Sequence, residues 1–158
     1  MSDWDEASKG IDSVGQHACY VRDGQMMLDD AAMFDINFDV GKRRLHLRYS
    51  GYWTVAEAKS VHRKFAQVLD KASKAGSFTL LDDLTEFAVQ SPEVVDANQD
   101  FVTLLERAPV IRNAMVVPSA LVRRQVKRQL AFDDQKFMLF EDYASADHWL
   151  AEVEPAGS

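Results

Sequence analysis

The chain has 158 residues, of which 47% are hydrophobic and 27% are charged, as is typical of one soluble globular domain. Eighteen Lys and Arg residues face 25 Asp and Glu residues, giving a formal net charge of −7. This balance argues against nucleic-acid binding, which needs a positive surface. The single cysteine, Cys19, excludes an internal disulfide and a cysteine-rich zinc site.

Residues 1–32 differ from the rest of the chain. They carry seven acidic and two basic side chains and show no sustained hydrophobic period. We predict an acidic, partly flexible leader over 1–32, in which residues 17–21 form a candidate edge strand. The N-terminus has no apolar signal region, and no apolar run is long enough to cross a bilayer, so we expect a cytoplasmic protein without integral membrane association.

A β-hairpin follows the leader. Apolar and polar residues alternate strictly over residues 34–40 and again over 45–50, which is the period of half-buried strands. Gly41 and Lys42 lie between the two runs and predict a turn. The two strands are therefore expected to pair antiparallel.

Helices and strands then alternate. Thr54 and Glu57 form a capping-box pattern before a long helical stripe of apolar residues, and Gly76 predicts its end. Ser91 and Pro92 predict the start of a second helix, and Ser119 caps a third. Short apolar runs at 78–81, 114–117 and 137–140 predict strands covered on both faces, and 145–151 predicts a last helix.

The resulting order is β-β-α-β-α-β-α-β-α. A hairpin followed by such alternation predicts an α/β fold with a mixed sheet, whose later strands are parallel and joined by right-handed crossovers. We expect one domain over residues 33–152, followed by a disordered tail over 153–158. The predicted core comprises Phe34, Ile36, Phe38, Leu45, Leu47, Phe65, Leu80, Val116 and Met138.

This chain resembles the SpoIIAA-like proteins, relatives of the STAS domain of anti-sigma-factor antagonists. The resemblance rests on element order and on residues 80–87, 137–142, Ala146, Trp149 and Leu150. It implies a STAS/SpoIIAA-like fold and a partner protein, in a module that needs no cofactor. In the antagonists, an Asp-Ser pair places a phosphorylatable serine at the start of the helix after the third strand. The matching residue is Ser91, a candidate phosphosite, with Gln90 in place of the Asp and Pro92 after it.

Three acids and one aromatic follow the predicted strand at 78–81: Asp82, Asp83, Glu86 and Phe87. Ligands meet open α/β sheets at the carboxyl ends of parallel strands. We interpret this group as a solvated loop and a candidate partner-binding surface. The alternative is a magnesium site, although the chain lacks the second acid pair of a phospho-receiver domain.

Four bases and no acid occupy the third helix: Arg123, Arg124, Lys127 and Arg128. Such a stripe can bind phosphate, an anionic headgroup or an acidic partner. It can equally be a solvated face that lies near the acidic leader. Both interpretations stay open, because a run of charge specifies no partner.

The sequence contains no recognisable catalytic motif. Its four histidines lack metal-ligand spacing, and its glycines form no phosphate-binding loop. We therefore expect a non-catalytic regulatory module that binds another protein, or a second copy of itself, in a bacterial cell. The alternative is a carrier of a small apolar or lipid-like molecule, held in a candidate pocket near Trp53 and Phe87. An enzyme ranks third.

Overall fold

The structure is a computed structural model. It describes the backbone of residues 10–11, 18–22, 25–28, 33–129 and 136–155, and the side chains of these ranges from residue 34 onwards. All statements below refer to these residues.

Eight strands form one sheet in which the spatial order equals the chain order. They are β1 (Gly10–Ile11), β2 (Ala18–Arg22), β3 (Gln25–Leu28), β4 (Met33–Asp39), β5 (Arg44–Gly51), β6 (Phe78–Phe87), β7 (Val110–Val116) and β8 (Phe137–Phe140). Strands β1 to β5 pair antiparallel. Strands β5 to β8 pair parallel, so the sheet is mixed as predicted.

Five helices connect the parallel strands or follow them: α1 (Val55–Lys74), α2 (Pro92–Ala97), α3 (Gln99–Arg107), α4 (Ala120–Gln129) and α5 (Tyr143–Ala151). The capping box predicted for α1 is present, since Thr54 Oγ1 accepts from the Glu57 N–H and Glu57 Oε2 accepts from the Thr54 N–H. The predicted second helix is divided at Asn98 into α2 and α3. Asparagine is a poor helix former, and this side chain hydrogen-bonds His62 of α1 at 3.0 Å.

The acidic residues after the predicted strand at 78–81 do not form a loop. Strand β6 continues to Phe87, so Asp82, Asp83 and Glu86 lie within it. Asp82 and Asp83 pair with both β5 and β7, and Glu86 and Phe87 pair with β5, so backbone hydrogen bonding keeps this segment extended. The solvated-loop interpretation is therefore wrong.

Part of the predicted leader belongs to the sheet. Strand β2 covers four of the five residues of the candidate edge strand, but it pairs with both β1 and β3 and is an internal strand. The other residues of 1–32, and residues 156–158 of the predicted tail, lie outside the described residues. The division into leader, domain and tail stays a prediction.

The core lies mainly on one face of the sheet, beneath α1, α3 and α4. Seven of the nine predicted core residues are buried, whereas Phe38 and Met138 are half-buried. Phe38 lies next to the β4–β5 turn and Met138 on the last strand of the sheet, where fewer neighbours cover a side chain. A smaller cluster on the opposite face packs Leu81, Ala114 and Val116 against α5.

Candidate functional site

A cavity lies between the main-core face of the sheet and helices α1, α3 and α4. It is open on one side and leaves about 80 Å³ in which the centre of a water molecule can move. A cavity needs only about 10–15 Å³ by this measure to hold one water. The space is therefore large enough for several waters or for a small organic molecule.

The cavity wall is mostly apolar, and one side of it is aromatic. Trp53 and Phe87 both line it, with ring centroids 5.1 Å apart, and Tyr49 lies 5.7 Å from Phe87 and 6.0 Å from Phe101. Trp53 is held in place because its Nε1–H donates to the Ser50 carbonyl at 2.8 Å. The two residues of the predicted pocket thus belong to one cavity with an ordered aromatic side.

One buried acid faces this apolar space. Asp82 is 1% exposed, and its Oδ1 accepts a hydrogen bond from the Tyr49 hydroxyl at 3.0 Å. Its Oδ2 is buried without a hydrogen-bond partner. Burial disfavours the charged carboxylate and raises the pKa of Asp82 to about 7, although the Tyr49 and Asn113 side chains oppose the rise. Near neutral pH, Asp82 is therefore present in both its protonated and its ionised form, whereas an ordinary aspartate is ionised.

Asn113 lies beside Asp82 on strand β7 and is fully buried. The two side chains are near enough for the amide to lower the pKa of Asp82, yet neither polar atom of the Asn113 amide has a hydrogen bond of normal length and angle. Asn113 does not line the cavity. Strands β5, β6 and β7 thus place Tyr49, Asp82 and Asn113 together on the main-core face.

The remaining polar side chains of the wall are engaged elsewhere. His62 Nε2 hydrogen-bonds Asn98 Oδ1 at 3.0 Å, and burial lowers the pKa of His62, which favours a neutral imidazole. Gln129 Nε2 donates to the Val95 carbonyl at 2.9 Å. These contacts fix the helices around the cavity.

Gln90 connects three parts of the wall. Its side chain accepts from the Trp53 N–H at 2.9 Å and donates to the Gly51 and Ala88 carbonyls at 3.1 and 2.7 Å. Its backbone forms two reciprocal hydrogen bonds with the Gln125 amide, both at 3.0 Å. The residue that replaces the aspartate of the antagonist pattern therefore holds the loops after β5 and β6 against α4.

The predicted acidic group is divided between the two faces of β6. Asp82 faces the cavity, whereas Asp83 belongs to the other face and accepts from the Thr85 N–H at 2.9 Å. Glu86 is exposed and pairs with Arg48 at 3.4 Å. Because neighbouring residues of a strand point to opposite faces, Asp82 and Asp83 cannot chelate one magnesium ion. Among the residues described, no three His, Cys, Asp or Glu side chains come together to hold a metal.

The predicted basic stripe is also divided. Arg124, Lys127 and Arg128 are exposed on α4. Arg123 instead donates to the Val117 carbonyl at 2.8 Å and pairs with Glu141 at 3.4 Å, so it joins α4 to strand ends.

Ser91, the candidate phosphosite, caps α2, and its Oγ accepts from the Val94 N–H at 3.3 Å.

Large apolar side chains are exposed along one edge of the parallel half of the sheet. One follows each of the strands β5, β6, β7 and β8: Tyr52 (60% exposed), Val89 (41%), Leu121 (65%) and Tyr143 (50%). We call these four residues the carboxyl-edge row. Tyr52 and Val89 lie just beyond their strands, whereas Leu121 lies in the first turn of α4 and Tyr143 begins α5. Ser91 follows β6 at the same edge.

The fold and the cavity define an α/β protein of the SpoIIAA-like fold. Solved structures of two other proteins show this fold. One is an uncharacterised protein of the DUF3478 family from Shewanella loihica PV-4, described as having a SpoIIAA-like fold. It is 19% identical, with a TM-score of 0.58 over 76% of this chain and 94% of its own.

The other structure is an anti-sigma factor antagonist from Mycobacterium paratuberculosis. It is 12% identical, with a TM-score of 0.53 over 79% of this chain and 98% of its own. At these identities the likeness establishes the fold, and the predicted resemblance is confirmed at that level. No family model matches the sequence, and no curated protein does. Among the helices described, none combines the length and apolar character needed to span a bilayer.

Proposed function

We propose that the protein is a non-catalytic, cytoplasmic regulatory module that acts by binding another protein in a bacterial cell. The observation that carries this proposal is the carboxyl-edge row. Large apolar side chains that are exposed in the segments after four neighbouring parallel strands favour an interaction surface at this edge of the sheet. The similarity in fold to an anti-sigma factor antagonist supports a regulatory role.

The charge beside the row favours an acidic partner. Leu121, Arg124 and Arg128 are spaced three and four residues apart on α4, so they share one exposed face of that helix. The partner would then present an apolar patch with carboxylates at its rim. Such an arrangement places apolar contacts at the centre of an interface and steering charges around them.

The test is quantitative affinity capture from cells that naturally express the protein. We expect the double variant Tyr52→Ser/Leu121→Ser to recover at least tenfold less of the proteins captured by the wild type, because it removes half of the row. The matched control is Val40→Ser, since Val40 is 77% exposed but lies in the β4–β5 turn at the opposite end of β5. If the double variant captures the same proteins as the wild type, or if Val40→Ser loses them to the same extent as the double variant, the proposal is wrong.

The cavity favours a second candidate function, the transport or sensing of a small, largely apolar molecule. An internal space with an aromatic wall, which opens to solvent on one side, is the usual form of a small-molecule site. Toluene is a suitable first probe, because apolar cavities bind one-ring hydrocarbons. Saturable shifts of the Trp53 indole N–H resonance during an NMR titration would support this function. Their absence up to the solubility limit of toluene would contradict it.

A further inference from the structure

One carboxyl oxygen of a cavity-wall residue, Asp82 Oδ2, has no hydrogen bond of normal length and angle, although the Asn113 amide lies close to the same carboxyl group. Of the buried side-chain polar atoms in the described part of the chain that lack a partner, only Asp82 Oδ2 belongs to a residue of the cavity wall. The Tyr49 hydroxyl already donates to the other oxygen of this carboxyl. A buried acceptor without a partner lowers stability, so a bound donor at this position would be favoured.

The charges around the cavity restrict the kind of donor. The described wall contains no Lys or Arg, and the imidazole of His62 is kept neutral by burial. A carboxylate or phosphate ligand would therefore meet no positive side chain and would be repelled by ionised Asp82. An ammonium group would instead form a charge-assisted hydrogen bond. The wall also offers aromatic rings, which attract cations.

The volume restricts the rest of the molecule. An enclosed apolar cavity of about 150 Å³ holds benzene, and this cavity of about 80 Å³ is open on one side. The cavity is about half that size, so one ring would be only partly enclosed, and the rest of a ligand would extend through the open side toward solvent.

We infer that the cavity binds a small amphipathic amine, with its ammonium group on Asp82 Oδ2 and its apolar ring among Trp53, Phe87 and the aliphatic wall. This inference rests on the second proposed function, which requires only that the cavity bind an apolar molecule. It adds a specific ligand class and assigns Asp82 as the residue that selects it.

The test compares three one-ring probes by NMR titration at about pH 8, where Asp82 is mostly ionised. We expect benzylamine to bind at least tenfold more tightly than toluene, and benzoate to give no saturable shifts. In Asp82→Asn, the affinity for benzylamine should fall to that for toluene, while toluene binding changes less than twofold. Asp83→Asn is the matched control, because it removes the adjacent acid from the opposite face of the same strand.

Two further measurements make the result specific to the cavity. Val126→Phe replaces a small aliphatic side chain of the wall with an aromatic ring that fills part of the cavity. This variant should bind neither benzylamine nor toluene. Wild-type affinity for benzylamine should fall as pH drops below about 7 and Asp82 takes up a proton, with toluene unaffected. The other titratable groups that face the cavity are Tyr49, whose pKa is raised well above 10, and His62, which titrates below its ordinary value.

The outcomes separate the two proposals. If neither benzylamine nor toluene binds, the carrier function and the amine inference are both wrong. If toluene binds and benzylamine binds no more tightly, or if Asp82→Asn leaves benzylamine binding unchanged, only the amine inference is overturned. Benzylamine binding that persists in Val126→Phe would place the site elsewhere and would also overturn it. Should Asp82→Asn fail to fold, the pH series on the wild type decides the matter, because a benzylamine affinity that stays constant below about pH 7 would overturn the inference.

Discussion

Asp82 places a carboxyl group among apolar side chains near the middle of a central strand. The Tyr49 hydroxyl donates to this carboxyl and the Asn113 amide lies close to it, but together they do not replace the hydration that a carboxylate has in water. The folded protein therefore favours the protonated acid, with a pKa of about 7. In the proposed amine site, a bound ammonium group would offset this cost by donating a hydrogen bond to the ionised carboxylate.

The free-energy cost of burying ionised Asp82 predicts a specific pH dependence of stability. Between its ordinary pKa of 3.8 and about 7, Asp82 holds a proton in the folded protein that the unfolded chain has released. The free energy of unfolding therefore falls as pH rises through this interval, by on the order of 4 kcal/mol in total. Asp82→Asn cannot titrate and keeps an acceptor for Tyr49. Urea unfolding should show the variant gaining stability relative to the wild type from about pH 4 to about pH 8.

The comparison with the wild type cancels the other titrations. The pKa values of Asp39 and Asp142 are lowered by backbone hydrogen bonds, so their stabilising effect is lost at low pH in both proteins. Asp83→Asn again serves as the control and should follow the wild type. A stability difference between Asp82→Asn and the wild type that does not change with pH would show that Asp82 is not a buried, proton-holding acid.

Replacing Phe65 should cause the largest loss of core packing among the substitutions proposed here. It is fully buried on α1, and its ring lies 4.4 Å from that of Phe101, which lines the cavity. Replacing it with Ala should lower the free energy of unfolding by about 3–5 kcal/mol, because a large void remains. A loss below about 1 kcal/mol in urea unfolding would be inconsistent with full burial.

The sequence predicted some site residues and misplaced others, for reasons that lie in the side chains. Trp53 and Phe87 were predicted to form a pocket because aromatic residues flanked strand ends. Asp82 was assigned to a loop, since two adjacent aspartates ordinarily indicate exposure. The strand period contained the missing signal: Leu80, Asp82 and Leu84 alternate with residues of the other face. The hydrogen bond that Asp82 accepts from Tyr49 joins residues 33 positions apart. No local sequence pattern indicates such a contact.

Helix α4 performs three tasks on three of its faces. Val122 and Val126 are buried in the core, and Gln125 and Gln129 bind the segments around the cavity. Leu121, Arg124 and Arg128 are exposed to solvent. The helix thus connects the cavity wall to the proposed partner surface.

Charge reversal on α4 tests the exposed face. Arg124→Glu/Arg128→Glu should weaken capture of the partner strongly and leave the fold intact, since exposed charges contribute little to stability but steer association. Capture by the wild type should also fall as salt rises, because the Debye length is about 8 Å at physiological ionic strength. The readouts are quantitative capture at low and high salt, with the thermal midpoint as a check of folding.

The control for this charge reversal is Lys59→Glu/Arg63→Glu on α1. These residues are exposed and have the same four-residue spacing, so the double variant makes the same change in net charge elsewhere. Equal capture by the α4 variant and the wild type at every salt concentration would show that the basic stripe is a solvated face that does not bind the partner. Equal losses in both variants would indicate a nonspecific effect of net charge.

Element boundaries could be predicted where local chemistry determines them. The capping box of α1 and the alternation in β4 and β5 are properties of neighbouring residues, and the structure has both. The division between α2 and α3 could not be predicted, because Asn98 interacts with His62 of a different helix. The length of β6 was missed because backbone pairing keeps its polar residues in the strand. Asp82 and Asp83 pair with both β5 and β7, and Glu86 pairs with β5.

The two halves of the sheet differ in their connections. In β5 to β8 the strands are parallel, so all four carboxyl ends lie at one edge, where the carboxyl-edge row and Ser91 are found. In β1 to β5 the strands are antiparallel. Strands β1 and β3 have only two and four residues. They are too short to show a recognisable period of apolar residues, which explains why they were not predicted.

We predict that residues 1–28 are dispensable for folding. Among the described residues, β3 pairs with β4 at one position, Met27 with Met33, whereas β4 pairs with β5 at seven positions. Removing residues 1–28 should therefore keep urea unfolding cooperative and change its midpoint little. Strand β4 would become an edge strand, and exposed strand edges promote aggregation. Asn37→Lys in the shortened chain adds a charge at an exposed position of β4 to prevent such pairing. If the shortened chain is insoluble both with and without this lysine, or unfolds without a cooperative transition, strands β1 to β3 are required for the fold.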